Sequence, residues 1–190
     1  MKTPATTRTQ GVRPLLWNTH HDQPEARRVA VVALLNAQLA DVIDLGLQAK
    51  QAHWNVKGPQ FAALHALFDD VRDALDGFTD ELAERAVQLG GVTRGTLQVL
   101  AKESRLAAYP LEAFDGAEHL WALSAALARV AQTSREAIRG AEKAGDAVTA
   151  DVFTEVSRGI DTLLWKVEAH VALEPRWVPE SRAGGALADA

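Results

Sequence analysis

An all-α chain folded as a bundle of four long helices is the fold class this sequence predicts, and three observations predict it. Four segments carry apolar residues at helical spacing and match in length at about 25 to 30 residues each. Alanine and leucine dominate while β-branched runs stay short. The connection between the second and third segments, about 25 residues, is long for a simple hairpin and allows a crossover along the bundle.

The first helix runs from about Glu25 to His53, with Val32, Leu35, Leu39, Val42 and Ile43 at helical spacing. Asp22 and Glu25 form an Asp-x-x-Glu capping pattern, with Pro24 in the first turn, and Lys57-Gly58-Pro59 breaks the helix. The second spans about Pro59 to Leu89 and stops at Gly90-Gly91. Its stripe of Phe61, Leu64, Phe68, Val71, Leu75, Phe78 and Leu82 steps by threes and fours, so one face meets a core. A short helix, about Gly95 to Glu103, interrupts the connection before Tyr109-Pro110. The third long helix covers about Ala117 to Ala144 through Leu120, Leu123, Leu127 and Val130, with Gly145 after it. The fourth covers about Ala147 to Leu173 through Val152, Val156, Ile160, Leu163 and Val167, and Pro175 stops it.

Around this bundle, residues 22–174, lie a mildly basic arm, residues 1–21, and a loose tail, residues 175–190. A chain of 190 residues buries a sizeable core as one domain. The absence of cysteine excludes disulfides, zinc–thiolate sites and iron–sulfur clusters, and suits a reducing cytoplasm. No apolar signal-peptide core follows Met1, and the longest apolar run, Val29 to Leu35, is far below the ~18 residues of a membrane span. The expectation is a soluble cytoplasmic protein without a membrane partner. A net charge of −5 argues against a body that binds polyanions generally.

The second helix carries the chemistry. His65 and Asp69 are four apart, as are Asp80 and Glu84, so each pair shares a face. At about 100° per residue, the four point on average ~150° away from the apolar stripe. Such a face is often merely solvated. Asp69 and Asp80 stand about 16 Å apart along the axis, at ~1.5 Å per residue. That gap cannot close onto metal–oxygen bonds of roughly 2 Å, so one copy cannot join both pairs at one metal. Two copies packed antiparallel about a two-fold near Ala74 and Leu75 would bring His65 and Asp69 of one to Asp80 and Glu84 of the other, twice over. His53, at the end of the first helix, is the obvious further nitrogen ligand. Two imidazoles and three carboxylates suit Fe(II), Mn(II) or Zn(II).

Three segments carry a resemblance. Lys50-Gln51-Ala52-His53-Trp54-Asn55-Val56-Lys57-Gly58, Phe61-x-x-Leu64-His65-x-x-Phe68-Asp69, and Asp80-x-x-x-Glu84-Arg85 with Leu89-Gly90-Gly91 agree in type, order and spacing with the motifs of the Dps family of ferritin-like proteins. The similarity runs from about residue 25 to 173 and includes Tyr109-Pro110-Leu111. It implies a ferritin-like bundle and a homo-oligomer, a dodecameric shell of tetrahedral symmetry. It also implies ferroxidase sites at two-fold contacts, with His53, His65 and Asp69 from one subunit and Asp80 and Glu84 from its partner. The implied activity is oxidation of Fe(II), preferentially by hydrogen peroxide, with ferric mineral stored inside and DNA protected from oxidative damage. Zinc or manganese would fit the same ligands. No Glu-x-x-His occurs in the chain, so the intrabundle di-iron site of ordinary ferritins is absent.

The resemblance places Trp54 beside the site, where interface packing is an equal role. It also places Asp146, Asp151 and Glu155 at three-fold pores, where carboxylate rings would draw cations inward, against the alternative of helix capping and solvated acids. DNA binding by the family depends on a basic arm. Here that arm has only Lys2, Arg8 and Arg13, which implies weak contact at low salt, with nucleoid association at most. His20, His21 and Asp22 form a candidate second metal site. A DNA-compacting structural protein and a non-catalytic divalent-metal buffer are the alternative functions.

Overall fold

The structure is a computed structural model that describes residues 16–171. Five helices follow in order: α1 Glu25–Asn55, α2 Phe61–Gln88, α3 Leu97–Glu103, α4 Gly116–Ala144 and α5 Ala147–Glu168. All the expected elements form, with ends that move by a few residues. The Asp22 cap does not form: Pro24 is the residue at the α1 N-cap, and no side chain bonds the first turn. The expected start of α2 at Pro59 moves to Phe61 and the expected end of α5 at Leu173 moves to Glu168. α4 begins on a reciprocal capping box between Asp115 and Glu118 and ends at Gly145, whose φ of 78° no side-chain-bearing residue adopts readily.

α1 packs on α2 and α4, and α5 packs on α4 and α2, so the four long helices close a square. Contacts between distant residues give the directions. Gln38 bonds Ser134 while Leu34 lies beside Gly140, so α1 and α4 run antiparallel. Arg85 bonds Asp146 while Phe78 lies against Gly159, so α2 and α5 do too. At Gly159 an added Cβ would stand 2.0 Å from the Phe78 ring, and this is where the two helices approach most demandingly. With every neighbouring pair antiparallel, α2 and α4 are diagonal and parallel. Residues 89–115 must therefore return along the whole bundle, ~40 Å at ~1.5 Å per residue.

A row of polar side chains on α1, buried except for the half-buried Asp44, holds that return. Asn36 donates to the Val92 carbonyl at 3.0 Å and accepts from the Arg94 amide at 2.8 Å. Asp41, fully buried, accepts from the amide and guanidinium of Arg105 and from the Thr133 hydroxyl. Ser104 donates to Asp44, and Gln48 donates to the Ala107 carbonyl at 3.1 Å. Each bond satisfies a group that burial would otherwise leave at a cost of about 1–3 kcal/mol. The apolar stripes of α2, α4 and α5 meet in one core, with Phe68, Phe153, Leu75 and Leu127 fully enclosed. Three expected members differ: Phe61 is exposed, and Phe78 and Val152 are only partly buried.

α1 is long and apolar enough to cross a membrane by length and composition, with mean hydropathy 1.6 over its best window. The longest unbroken apolar run does not reveal this, because Asn36, Gln38, Asp41 and Asp44 interrupt the run without lowering its average enough. In the bundle, 61% of that window is buried, and its polar interruptions are bonded as described.

At the opposite end of α2 from His65 and Asp69, Arg85 forks onto Asp146 at 3.1 and 3.2 Å and bonds the Thr149 hydroxyl at 2.9 Å. Burial by itself would raise the Asp146 carboxyl, but the Thr149 hydroxyl and amide, the Arg85 charge and Gln23 outweigh it, holding it below its usual 3.8. Removing one partner of a buried pair leaves the other uncompensated. Asp146→Asn is expected to lose about 3–5 kcal/mol at neutral pH in denaturant unfolding. Because the folded carboxyl titrates below the unfolded one, the wild-type advantage is complete above pH ~3.8 and shrinks as pH falls through the folded value. A gap between the two proteins that is constant from pH 7 to pH 2 would refute this account.

Candidate metal centre

The end of α1 and the first turns of α2 are joined by only Val56–Gln60, which brings His53 against His65. The two rings stack with centroids 3.6 Å apart. Each Nδ1 lies 2.8 Å from the other residue's backbone carbonyl, a reciprocal pair of bonds across the corner. A carbonyl only accepts, so both Nδ1 atoms carry the proton and both Nε2 atoms keep a free lone pair. This is the tautomer a metal requires, set before any metal arrives. His53 is buried, His65 is half-buried, and the Phe61 ring stands 5.0 Å from His65.

Asp69 lies one turn beyond His65, with Oδ1 3.7 Å from His53 Nδ1 and 2.5 Å from the Lys50 ammonium. The Lys50 hydrogen bond is the main reason its carboxyl sits below the usual 3.8; burial opposes it, and the charges of His53, Lys50 and His65 lower it further. Lys50 was part of a motif but had no role assigned from sequence. Its position three residues before His53, on the same helix face, is the signal that could have found it.

Asp80 and Glu84 are exposed and lie together farther along α2. Among the described residues, no three His, Asp or Glu side chains converge on a point within one chain. One chain thus presents a nitrogen-rich corner and a separate carboxylate pair. Trp54, beside His53 in sequence, is 67% exposed on the same end of α1.

Asp151 and Glu155 are exposed one turn apart near the start of α5. Asp146 is not with them. It is fully buried as the α5 N-cap and paired to Arg85, and so cannot line a channel, which corrects the expectation for that residue. Glu155 faces α2, where burial and then its charge raise the carboxyl of Glu81. His21 accepts the Gln23 amide at Nδ1 and lies 3.4 Å from Asp22, a local turn that His20 does not join. Lys2, Arg8 and Arg13 lie outside the described residues.

Comparison with known proteins adds the following. Residues 32–176 match the family model described as a ferritin-like domain. The chain is 48% identical to the DNA protection during starvation protein of Agrobacterium fabrum, over 80% of its own length and 94% of that protein's. Its fold is similar to the Dps of Mycobacterium smegmatis, with TM-score 0.79, 29% identity, and coverage of 86% of this chain and 99% of that one. It is also similar to the Dps of Microbacterium arborescens in the high iron form, with TM-score 0.74, 29% identity, and coverage of 80% and 98%.

The Lys50 ammonium competes with any cation for Asp69. Lys50→Met is therefore expected to tighten binding of Co(II), a redox-silent probe, by roughly 3- to 10-fold in calorimetry. Weaker binding in the variant would instead make Lys50 a group that holds Asp69 in its ligating pose.

Proposed function

This chain belongs to the Dps family of ferritin-like proteins, and from that premise we propose that it oxidises Fe(II) as a mini-ferritin. The observation that carries the reading is the pair of histidines whose Nδ1 atoms are tied to backbone carbonyls, leaving two Nε2 lone pairs on a corner where Asp69 lies 3.7 Å from His53 Nδ1. Fe(II) is the substrate and hydrogen peroxide the oxidant. Two Fe(II) each lose one electron, and the peroxide takes both, with two protons, to leave as two waters. Supplying both electrons at one place avoids the one-electron cleavage that releases hydroxyl radical.

Asp80 and Glu84 complete the ligand set from a second copy. Antiparallel packing of two α2 helices about a two-fold at the level of Ala74 and Leu75 brings each acidic pair to the other chain's histidines. Trp54 and Phe61, exposed apolar rings flanking the corner, are then covered by that contact. Lys50 keeps Asp69 ionised until iron displaces it. Further contacts build a dodecameric shell in which ferric mineral accumulates, and the relative solved in a high iron form supports iron as the cargo. Asp151 and Glu155 draw cations through the pores of that shell. The protein is read as cytoplasmic, protecting DNA chiefly by removing iron and peroxide. Lys2, Arg8 and Arg13, repeated on many arms, add weak low-salt DNA contact.

Complementation tests the shared site. One variant lacks His53, His65 and Asp69, and another lacks Asp80 and Glu84. Each alone is expected to oxidise Fe(II) slowly with peroxide, while sizing shows intact assembly. Refolded together in equal amounts, about half the two-fold pairs are mixed and each holds one complete site, so about one quarter of wild-type activity returns. Two variants that stay inactive when mixed would sink the intersubunit site. Full activity in both alone would leave these residues as a metal buffer or a plain interface.

A further inference from the structure

His119, near the start of α4, is 1% exposed, yet only one of its ring nitrogens is hydrogen-bonded. Nδ1 lies 2.6 Å from the hydroxyl of Tyr109 in the crossover, and the two rings stack at 6.1 Å. Nε2 is buried with no partner of good hydrogen-bond geometry among the described residues, and the Asn55 backbone is its weaker contact. The Phe68 ring of α2 packs edge-on at 6.4 Å, and the backbone of Asn55, the last residue of α1, favours a proton on the imidazole. Three helices and the crossover meet at this one side chain.

The acidic groups that act on it are Glu118 and Asp115, both exposed and both engaged in the α4 capping box. The Tyr109 hydroxyl is the other titratable neighbour, and burial raises it well above its usual 10, so it stays neutral. A neutral imidazole suits this place. An imidazolium does not, because a buried charge without a contacting counter-ion is costly. Burial accordingly pushes the His119 imidazole below its usual 6.5.

We propose that Tyr109 and His119 form a pH-sensitive latch that holds the closing half of the crossover, residues 105–115, on the end of α1 and the start of α4. Neutral His119 accepts the Tyr109 proton at Nδ1. When Nδ1 takes a proton of its own, that acceptor is lost and the hydroxyl must turn its hydrogen into apolar surroundings. The segment then lifts from α4. A cavity of about 720 Å³ beside it, walled by Leu106, Tyr109, Pro110, Trp121 and Ala122, gives it room to move. The unfolded imidazole titrates near 6.5 and the folded one lower. The contribution of the latch is therefore complete above pH ~6.5 and is lost as pH falls from there through the folded value.

Tyr109 is the only tyrosine in the chain. Protein made with 3-fluorotyrosine thus carries a single ¹⁹F reporter at the latch, readable in the intact assembly. Its resonance is expected to move as pH is lowered below ~6.5 through the folded value of His119, and to stay fixed in His119→Gln. Amide protection over residues 106–113 should fall about tenfold over the same change of pH. Tyr109→Phe should show the low protection already at pH 7.5, with no further pH dependence. Should His119→Gln fail to assemble, the exchange data for wild type and Tyr109→Phe decide alone. A resonance that is invariant with pH, one that titrates equally in His119→Gln, or crossover protection that ignores pH overturns the latch.

Discussion

Parallel placement of α2 and α4 across the diagonal of the bundle is the constraint from which the rest follows. It obliges residues 89–115 to run back along the whole molecule, and a chain that long carries many backbone groups needing partners. α1 supplies them. Asn36, Asp41, Asp44 and Gln48 each bond the crossover, at Val92, Arg105, Ser104 and Ala107. This helix is therefore apolar toward the core and selectively polar beneath the crossover, and it has no fully solvated side to spare. The chemistry-bearing outer face of α2 is left open because the crossover lies along α1.

The same geometry separates two kinds of work along α2. Its first turns meet the end of α1, where a connection of only Val56–Gln60 forces His53 and His65 into contact and lets each ring bond the other's backbone. Its last turns meet α5, where Arg85, Thr149 and Asp146 lock the helix ends together. Between them the carboxylates of Asp80 and Glu84 face solvent. Each end is rigid for its own reason, and a helix held at both ends presents Asp69, Asp80 and Glu84 at a fixed spacing of about 1.5 Å per residue. Rigidity of this kind is what the proposed division of ligands between two copies requires, since each half must arrive already formed.

Charge is handled differently at the two ends. Asp146 is fully enclosed and permanently paired, a structural use of a carboxylate. Asp69 is partly exposed and paired with Lys50, whose flexible stem can yield its place to another cation. An identical residue type is thus a fixture in one setting and one half of an exchangeable ion pair in the other. Burial and the mobility of the partner make the difference.

From the sequence alone, the helices, their order and the apolar stripes of α4 and α5 were legible, because 3.6-residue periodicity over 25 or more residues has no competing interpretation. The division of His65 and Asp69 from Asp80 and Glu84 was legible too, since the rise per residue is a property of any helix. Asp22 as a cap and Asp146 as a pore residue failed for one reason: a cap pattern or an acid near a helix start does not say which way its side chain is covered. Only the packed bundle decided that Asp146 meets Arg85 from 61 residues away, that Lys50 neutralises Asp69, and that His119 is sealed between three helices. Local spacing determines which residues share a face. What that face meets depends on contacts between segments far apart in the chain, and only the tertiary structure brings those together.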